Sequence, residues 1–181
     1  MRNDMIEKTI SCRQIYEGKI LNLRVDEVLL PNDKTSLREI VEHNGAVAIV
    51  AVTDNDKILL VRQYRKAVER VLIEIPAGKL EKEETPYDCA ERELIEETGF
   101  RANQLKKVME IITSPGFCTE KIHLFVANNL VVDYLENDED EFIDLITLDL
   151  DEALGKIVSG EIVDSKTIIG LLYYKMYHSA S

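Results

Sequence analysis

Features that would indicate a secreted or membrane protein are missing from this chain. Its three cysteines, Cys12, Cys89 and Cys118, are an odd number without the spacing of a disulfide framework. No apolar run approaches the roughly 18 residues of a membrane-spanning helix. The first twelve residues also lack the apolar stretch of a secretory signal. We therefore expect reduced thiols, a cytoplasmic location and no membrane partner.

Basic residues are also scarce. Lysine and arginine number 22 against 34 aspartate and glutamate residues, so the net charge is −12. A non-specific grip on nucleic acid needs a basic surface, so we expect no nucleic-acid partner. A small anionic substrate remains compatible with this charge if local arginines or bound cations reverse the field at the site.

The apolar patterns predict a layered fold. Apolar residues make up 45% of the chain, which is enough to fill a core. Strands alternate with flanking helices, which indicates an α/β (α+β) domain. The predicted elements are β structure over 8–43 with a turn at 31–33, strands at 45–52, 57–65, 71–78, 107–113 and 122–127, and closing helices at 149–160 and 165–177. The acidic segment 136–141 is interpreted as a solvated connector.

One further helix is marked at both ends. Thr85 is suited to cap it, Pro86 to take its first position, and Gly99 to end it in a left-handed conformation. Spacings of 3, 4 and 4 residues predict a stripe that faces the core. The residues of that stripe are Tyr87, Ala90, Leu94 and Thr98.

Three carboxylates lie close together on this helix. At about 100° per residue, Glu93 and Glu97 are about 40° apart, and Glu96 lies about 60° to the other side of Glu93. Like charges at this spacing weaken a helix. A hard divalent cation such as Mg²⁺ would explain the cluster, because it binds through carboxylate oxygens, water and substrate phosphates. An ordinary solvated charged face is the alternative, and the spacing alone does not decide between them.

The surrounding pattern resembles a known motif. Gly78, Glu84 and the run from Arg92 to Phe100 match all nine specified positions, over 23 residues, of the box of Nudix hydrolases. The resemblance implies an α/β/α sandwich with a mixed sheet, preceded by a small N-terminal antiparallel β element. It further implies that Glu93 and Glu97 ligate Mg²⁺, with Mn²⁺ as a substitute, and that Glu96 and the backbone oxygen of Ala77 support them. Arg92 and Glu84 are expected to pair.

Segments outside the box resemble the ADP-ribose pyrophosphatase branch of the family. Pro115 stands fifteen residues after Phe100, and Glu120 occupies the place of a loop glutamate that acts as catalytic base. By the same resemblance, the substrate-binding residues are Arg38, Glu39, Arg65, Glu74, Pro115 and Gly116. Simpler readings stay open for several of these residues. Pro115 could mark a plain turn, Arg38 could be an exposed strand cation, and Arg65 could pair with Glu69.

The expected reaction is Mg²⁺-dependent hydrolysis of ADP-ribose to AMP and ribose 5-phosphate. Two alternatives remain: a Nudix hydrolase of another nucleoside diphosphate derivative or nucleotide, and a non-catalytic module that binds ADP-ribose. Residues 1–44 are expected to form the N-terminal element, which mediates dimerisation and substrate contacts, and residues 45–181 the Nudix domain. The resemblance implies a homodimer in which the N-terminal element crosses to the partner subunit. Tyr16, Ile20 and Leu21 are open candidates for stacking on adenine, although core or interface roles would also suit them.

Overall fold

The computed structural model describes residues 5–133 and 142–178, except the side chain of His178. Within these residues the chain forms ten strands and three helices. The strands are β1 (Lys8–Glu17), β2 (Leu21–Leu29), β3 (Thr35–His43), β4 (Ala46–Val52), β5 (Lys57–Arg65), β6 (Arg70–Glu74), β7 (Ala77–Lys79), β8 (Phe100–Ile112), β9 (Lys121–Val132) and β10 (Ile143–Asp149); the helices are α1 (Pro86–Thr98), α2 (Leu150–Val158) and α3 (Ser165–His178). The predicted acidic connector 136–141 lies outside the described residues.

The chain divides into two compact units. Unit 1 consists of the described residues up to Gly45 together with Ile112–Lys121. Its strands pair antiparallel in the order β1-β2-β3. The predicted turn at 31–33 is confirmed, since Asp33 has a φ of 62° and its N–H donates to the carbonyl of Leu30. The loop before β9 lies along β3, where Val41 exchanges backbone hydrogen bonds with Phe117 and Thr119.

Unit 2 consists of Ala46–Ile111 and the described residues from Ile122 onwards. Its seven-stranded sheet has the order β10-β5-β4-β9-β8, with β6 paired to β5 and β7 paired to β4. Strands β4 and β9 run parallel, whereas β4 is antiparallel to β5 and β7. The sheet is therefore mixed, as expected.

Apolar side chains fill both faces of this sheet. Because side chains alternate along a strand, successive residues of β4 face opposite cores. Ala48 and Val50 pack with α2 and α3, while Val47 and Ile49 pack with α1. The result is a sandwich of helix, sheet and helix layers.

Helix α1 begins and ends where the sequence predicts. The Thr85 hydroxyl accepts a hydrogen bond from the N–H of Asp88 at 3.2 Å, and Gly99 has a φ of 71°. The predicted core stripe is partly wrong. Ala90, Leu94 and Thr98 are buried, but Tyr87 is 46% exposed and lies edge-on to Phe125. Cys89 takes the buried place instead, and its thiol contacts the carbonyl of Lys79.

Several strands differ from the predictions. β10 was not predicted: it is an edge strand with alternating burial, and its sequence leads directly into the capping box of α2. β8 begins at Phe100, several residues earlier than expected, through a mostly exposed segment. The predicted strand 71–78 is split, because the N–H of Ile75 donates to the hydroxyl of Thr167 and Pro76 has no N–H to donate. Among the described helices, none combines the length and apolar character needed to span a bilayer.

Candidate active site

The loop of the box packs directly onto helix α1. A Cβ atom built on Gly78 would lie 1.8 Å from the carboxylate carbon of Glu93, so any side chain here would displace that carboxylate from the position it occupies. Later in the loop, Glu83 has a φ of 68°, a left-handed conformation that is uncommon for glutamate. A strained backbone conformation of this kind persists only where the surrounding structure holds it in place, and such positions cluster at functional sites.

Arg92 connects the loop to the carboxylates of α1. Its Nε and Nη2 atoms donate to the two carboxylate oxygens of Glu84 at 2.9 and 3.0 Å. Its Nη1 atom donates to Glu93 and to Glu96, each at 2.8 Å. The predicted pairing of Arg92 with Glu84 is thus confirmed, and one guanidinium holds three carboxylates in register.

This pairing shifts the pKa of both partners and favours their charged forms. Hydrogen bonds from Arg92 lower the pKa of Glu84 to about 2, and the Glu84 carboxylate in turn raises the pKa of Arg92. Nearby, burial raises the pKa of Cys89 to about 12, so its thiol stays protonated and is a poor nucleophile.

Glu97 is the most buried of the three helix carboxylates, at 6% exposure. Its Oε2 atom accepts a hydrogen bond from the N–H of Ala77 at 2.9 Å. The structure therefore brings the Ala77 backbone, which the sequence predicts as a metal ligand, next to Glu97. Just before it, the carbonyl of Pro76 accepts a hydrogen bond from Ile49 of β4.

The chemistry of the carboxylate cluster suits a hard divalent cation, because its donors are all oxygens. In the arrangement seen here, however, the described residues contain no group of three or more His, Cys, Asp or Glu side chains placed to hold a metal ion. The Nη1 atom of Arg92 lies between Glu93 and Glu96, and Glu97 is turned toward the Ala77 N–H. The ligand set of Glu93, Glu96, Glu97 and Ala77 stays a prediction.

A second charged group lies at the end of β6. Arg65 pairs with Glu74 through two hydrogen bonds of 2.8 Å, while Glu69 pairs with Lys66 instead. The alternative pairing of Arg65 with Glu69 is therefore wrong. Lys166 also contacts Glu74 and was not predicted. A single lysine near the start of a helix carries no sequence signal for this contact.

In unit 1, the candidate base Glu120 lies beside two residues that the sequence did not indicate. The Thr113 hydroxyl donates to Glu120 Oε2 at 2.7 Å. His43 Nδ1 lies 3.8 Å from Glu120 Oε1 and accepts a hydrogen bond from the N–H of Gly45. Since Nδ1 accepts that bond, it does not donate to Glu120. The hydroxyl of Thr113 is the group that orients this carboxylate.

The other predicted residues of unit 1 are more exposed. Arg38 on β3 pairs with Glu7 through its Nε and Nη2 atoms. Glu39 beside it is exposed, and Pro115 and Gly116 form an exposed turn in which Ser114 accepts hydrogen bonds from Phe117 and Cys118. Their roles in substrate binding stay predictions.

The three adenine-stacking candidates are not core residues. Tyr16 and Ile20 are more than half exposed, and Leu21 is 37% exposed. Ile20 and Leu21 line an open, polar cavity of about 480 Å³ in unit 1, together with His43 and Asn44. Their exposure rules out a core role and leaves these side chains accessible for stacking on adenine.

Comparisons with known proteins add to this geometry. A protein named methanol dehydrogenase activator, from Bacillus methanolicus, is 52% identical over 174 residues, covering 94% of this chain and 93% of that protein. A protein named ADP-ribose pyrophosphatase, from Bacillus subtilis (strain 168), is 49% identical over 172 residues, with the same coverage of 94% and 93%.

A crystal structure described as that of an ADP compounds hydrolase matches the fold. Its TM-score is 0.86 at 21% sequence identity, and the match covers 98% of this chain and 96% of that one. This likeness confirms the predicted fold. Residues 7–41 match the nucleoside diphosphate sugar hydrolase N-terminal domain, and residues 42–166 match the NUDIX domain. Because that domain covers most of the chain and carries the complete box from Gly78 to Phe100, the chain belongs to the Nudix family.

Proposed function

We propose that this protein is an ADP-ribose pyrophosphatase, which hydrolyses the pyrophosphate bond of ADP-ribose to AMP and ribose 5-phosphate. The observation that carries the proposal is the complete box, in which Arg92 gathers Glu84, Glu93 and Glu96 beside Gly78. The relative of 49% identity named ADP-ribose pyrophosphatase supports the choice of substrate.

Hydrolases of the Nudix family generally use a divalent metal ion. We infer that it is Mg²⁺ here, with Mn²⁺ as a substitute, held by Glu93 and Glu97 with support from Glu96 and the carbonyl of Ala77. Such a cation neutralises charge on the pyrophosphate oxygens and lowers the pKa of water.

The remaining chemistry falls to side chains of this chain. Glu120, oriented by Thr113, accepts a proton from the attacking water. Arg65 offers a planar guanidinium to the pyrophosphate, and Arg38 and Glu39 hold the adenosine end. The turn at Pro115 and Gly116 fixes the conformation of the loop that carries Glu120. Reaction by this route needs positioning and electrostatic stabilisation and no covalent nucleophile.

The protein is further proposed to be a homodimer in which residues 1–44 cross to the partner subunit and contribute substrate contacts. All ten residues of β1 are exposed, including Ile10, Ile15 and Tyr16. An exposed apolar edge strand is a surface that a second copy can cover. Sedimentation that finds an active monomer would contradict this arrangement. A cytoplasmic location is proposed as well, because Cys12 is a free and exposed thiol.

A substrate panel tests the proposed reaction. Purified protein with Mg²⁺ is offered ADP-ribose, NADH, diadenosine polyphosphates, sugar nucleotides and nucleoside triphosphates, and the products are separated by chromatography. ADP-ribose is expected to give the highest kcat/KM, with AMP and ribose 5-phosphate in equal amounts. Activity should disappear with a chelator and return with Mg²⁺ or Mn²⁺. No turnover of any compound with any divalent cation would exclude the enzymatic function.

A second candidate function comes from the relative of 52% identity, which is named methanol dehydrogenase activator. This chain would then raise the rate of a methanol dehydrogenase. The rate of methanol oxidation, measured with and without the chain, tests this function. Stimulation by the wild-type protein that is lost in Glu97→Gln would link it to the box, and unchanged rates would exclude it.

A further inference from the structure

Glu74 is a carboxylate that is almost completely buried, at 1% exposure. A buried charge is costly unless opposite charges and hydrogen bonds compensate it. Two cations do so here. Arg65 donates to both of its oxygens, from Nε to Oε1 and from Nη2 to Oε2, each at 2.8 Å. Lys166 donates to Oε2 from the first turn of α3. Burial alone would raise the pKa of Glu74, but these two cations lower it.

A fourth charge belongs to the same group. Asp164 Oδ2 lies 3.1 Å from Lys166 Nζ and accepts hydrogen bonds from the N–H and the hydroxyl of Thr167, at 2.9 and 2.6 Å. Asp164 thus stands at the N-terminal end of α3, where the helix dipole favours a negative charge. With two cations and two anions, the group is neutral overall. Removal of the Lys166 charge alone would leave it with a net charge of about −1 at neutral pH.

Arg65 is the accessible member of this group. Its side chain is 38% exposed, against 12% for Lys166 and 1% for Glu74. Glu74 occupies the edge of the guanidinium formed by Nε and Nη2, and a guanidinium carries five N–H donors in all. The end formed by Nη1 and the second hydrogen of Nη2 is the part directed away from that contact. The nearby charge of Glu97 also contributes to a raised pKa of Arg65, after the larger effect of Glu74.

The same turn of α3 reaches the backbone before the box. The hydroxyl of Thr167, which is fully buried, accepts a hydrogen bond from the N–H of Ile75 at 2.9 Å. Two residues later, the N–H of Ala77 donates to Glu97. The start of α3 therefore supports both the guanidinium of Arg65 and the segment that leads into the proposed metal site.

We infer that Lys166 is a positioning residue for substrate binding: it balances the charge of buried Glu74, so that Arg65 keeps its attraction for the pyrophosphate group of the substrate. The inference rests on the proposed function, because it assigns the pyrophosphate of ADP-ribose as the group that Arg65 binds. Lys166 acts through Glu74 and Arg65 and is not required to touch the substrate. Without its charge, the group would repel the anion that Arg65 is placed to bind.

The test measures binding and turnover separately. Lys166→Gln removes the charge and keeps a hydrogen-bond donor for Glu74. The dissociation constant of α,β-methylene ADP-ribose, a non-hydrolysable analogue, is measured by calorimetry without metal. We expect Lys166→Gln to raise it roughly tenfold, as for loss of one charge near a partly exposed anion site. KM for ADP-ribose should rise similarly while kcat changes less than about threefold, because the lost interaction is made equally with substrate and transition state. Lys166→Arg should restore binding.

A double variant separates charge balance from general structural damage. Glu74→Gln removes the negative charge that Lys166 offsets, so adding it to Lys166→Gln should recover part of the lost affinity for the analogue. If Lys166 were merely structural, the two losses would multiply instead. Lys175→Met on the same helix, where Lys175 pairs with exposed Asp151, is the matched control and should leave binding unchanged.

The outcomes distinguish the two proposals. Wild-type protein that binds the analogue, together with unchanged binding in Lys166→Gln or multiplied losses in the double variant, would overturn the role of Lys166 alone. Wild-type protein that neither binds the analogue nor hydrolyses ADP-ribose would overturn the proposed function, and the role of Lys166 with it. Thermal unfolding of each variant confirms that the folded protein is compared.

Discussion

The two units of this protein differ in how much apolar surface they bury. Unit 2 surrounds its mixed sheet with two apolar cores, in which residues such as Leu60, Leu94 and Leu124 are fully buried. In unit 1, the only buried apolar side chain among the described residues is Val28, while Ile6, Ile10 and Ile15 are exposed. A three-stranded sheet with so little buried surface is marginal on its own. Unit 2 is therefore stabilised by its own apolar cores, whereas the sheet of unit 1 has little buried apolar surface to stabilise it.

The predicted chemistry is shared between these unequal units. The carboxylates of α1 and the charged group around Glu74 belong to unit 2. There Arg92 holds Glu93 and Glu96, and Arg65 holds Glu74, by hydrogen bonds. Glu120, Arg38 and Glu39 belong to unit 1, where most contacts are exposed. The proposed metal site therefore lies in the better-packed unit, while the proposed base and adenosine contacts lie in the less buried one. Four predictions test this division.

Glu97→Gln should have the largest effect. Glutamine can still accept the hydrogen bond from Ala77 but lacks the charge that a cation needs, so kcat should fall by roughly 10⁴-fold or more. Thermal unfolding should change little, and Mn²⁺ binding measured by calorimetry should weaken. Glu91→Gln, on the same helix but outside the box positions, is the control. Activity of Glu97→Gln close to that of the control would show that the catalytic cation lies elsewhere.

Glu120→Gln tests the chemistry assigned to unit 1. If this carboxylate is the general base, kcat should fall by about 10²–10⁴-fold, with little change in the affinity for a non-hydrolysable analogue. The measurement is steady-state kinetics at saturating Mg²⁺. Activity within a few-fold of wild type would show that Glu120 is not the general base and would leave Glu93 and Glu96 of unit 2 as the candidates.

Much of unit 2 could be predicted from local signals in the sequence. Thr85, Pro86 and Gly99 define α1 because capping depends on neighbouring residues alone. The pairing of Arg92 with Glu84 was implied by the resemblance to the Nudix box. β10 escaped prediction because its alternating pattern is short and merges with the start of α2. Tyr87 was assigned to the core by spacing, although Cys89 is the side chain that the packing buries.

Contacts between residues far apart in the sequence could not be predicted from it. Lys166 reaches Glu74 across 92 positions, and His43 and Thr119 meet across 76. Such contacts depend on how strands and helices pack, and no periodicity or motif encodes them. Arg65 and Glu74 are only nine positions apart, and they meet because β5 pairs with β6. The sequence suggested the nearer Glu69 as the partner of Arg65 and placed Glu74 among the substrate-binding residues.

Core truncation tests the packing difference directly. Leu124→Ala removes a fully buried side chain of unit 2 and should lower the free energy of unfolding by about 2–5 kcal/mol. Ile10→Ala in β1, at 54% exposure, should change it by less than about 0.5 kcal/mol at low protein concentration. Urea unfolding measures both. If a second copy covers β1, the effect of Ile10→Ala should grow with protein concentration; equal effects at all concentrations would contradict such cover.

The smallest effect is expected for a single ion pair in each unit. Glu84 and Arg92 of unit 2 are 14% and 27% exposed, whereas Glu7 and Arg38 of unit 1 are 36% and 37% exposed. Glu84→Gln should lower the free energy of unfolding by about 1.5 kcal/mol at pH 7, the lower end for hydrogen bonds to charged groups, because water still reaches the pair. Glu7→Gln is the matched control and should cause a smaller change that added salt removes.

The pH dependence identifies the cause of the Glu84 effect. The pKa of Glu84 in the folded protein, about 2, lies below its ordinary value of 4.5. Between these values the folded state binds fewer protons than the unfolded state, so stability rises with pH in that range. The difference between wild type and Glu84→Gln should be complete above about pH 5 and shrink as the pH falls toward 2. A difference that stays constant over this range would mean that Glu84 stabilises the loop by its shape and by the hydrogen bond that it accepts from the N–H of Glu81, and that charge pairing with Arg92 contributes little.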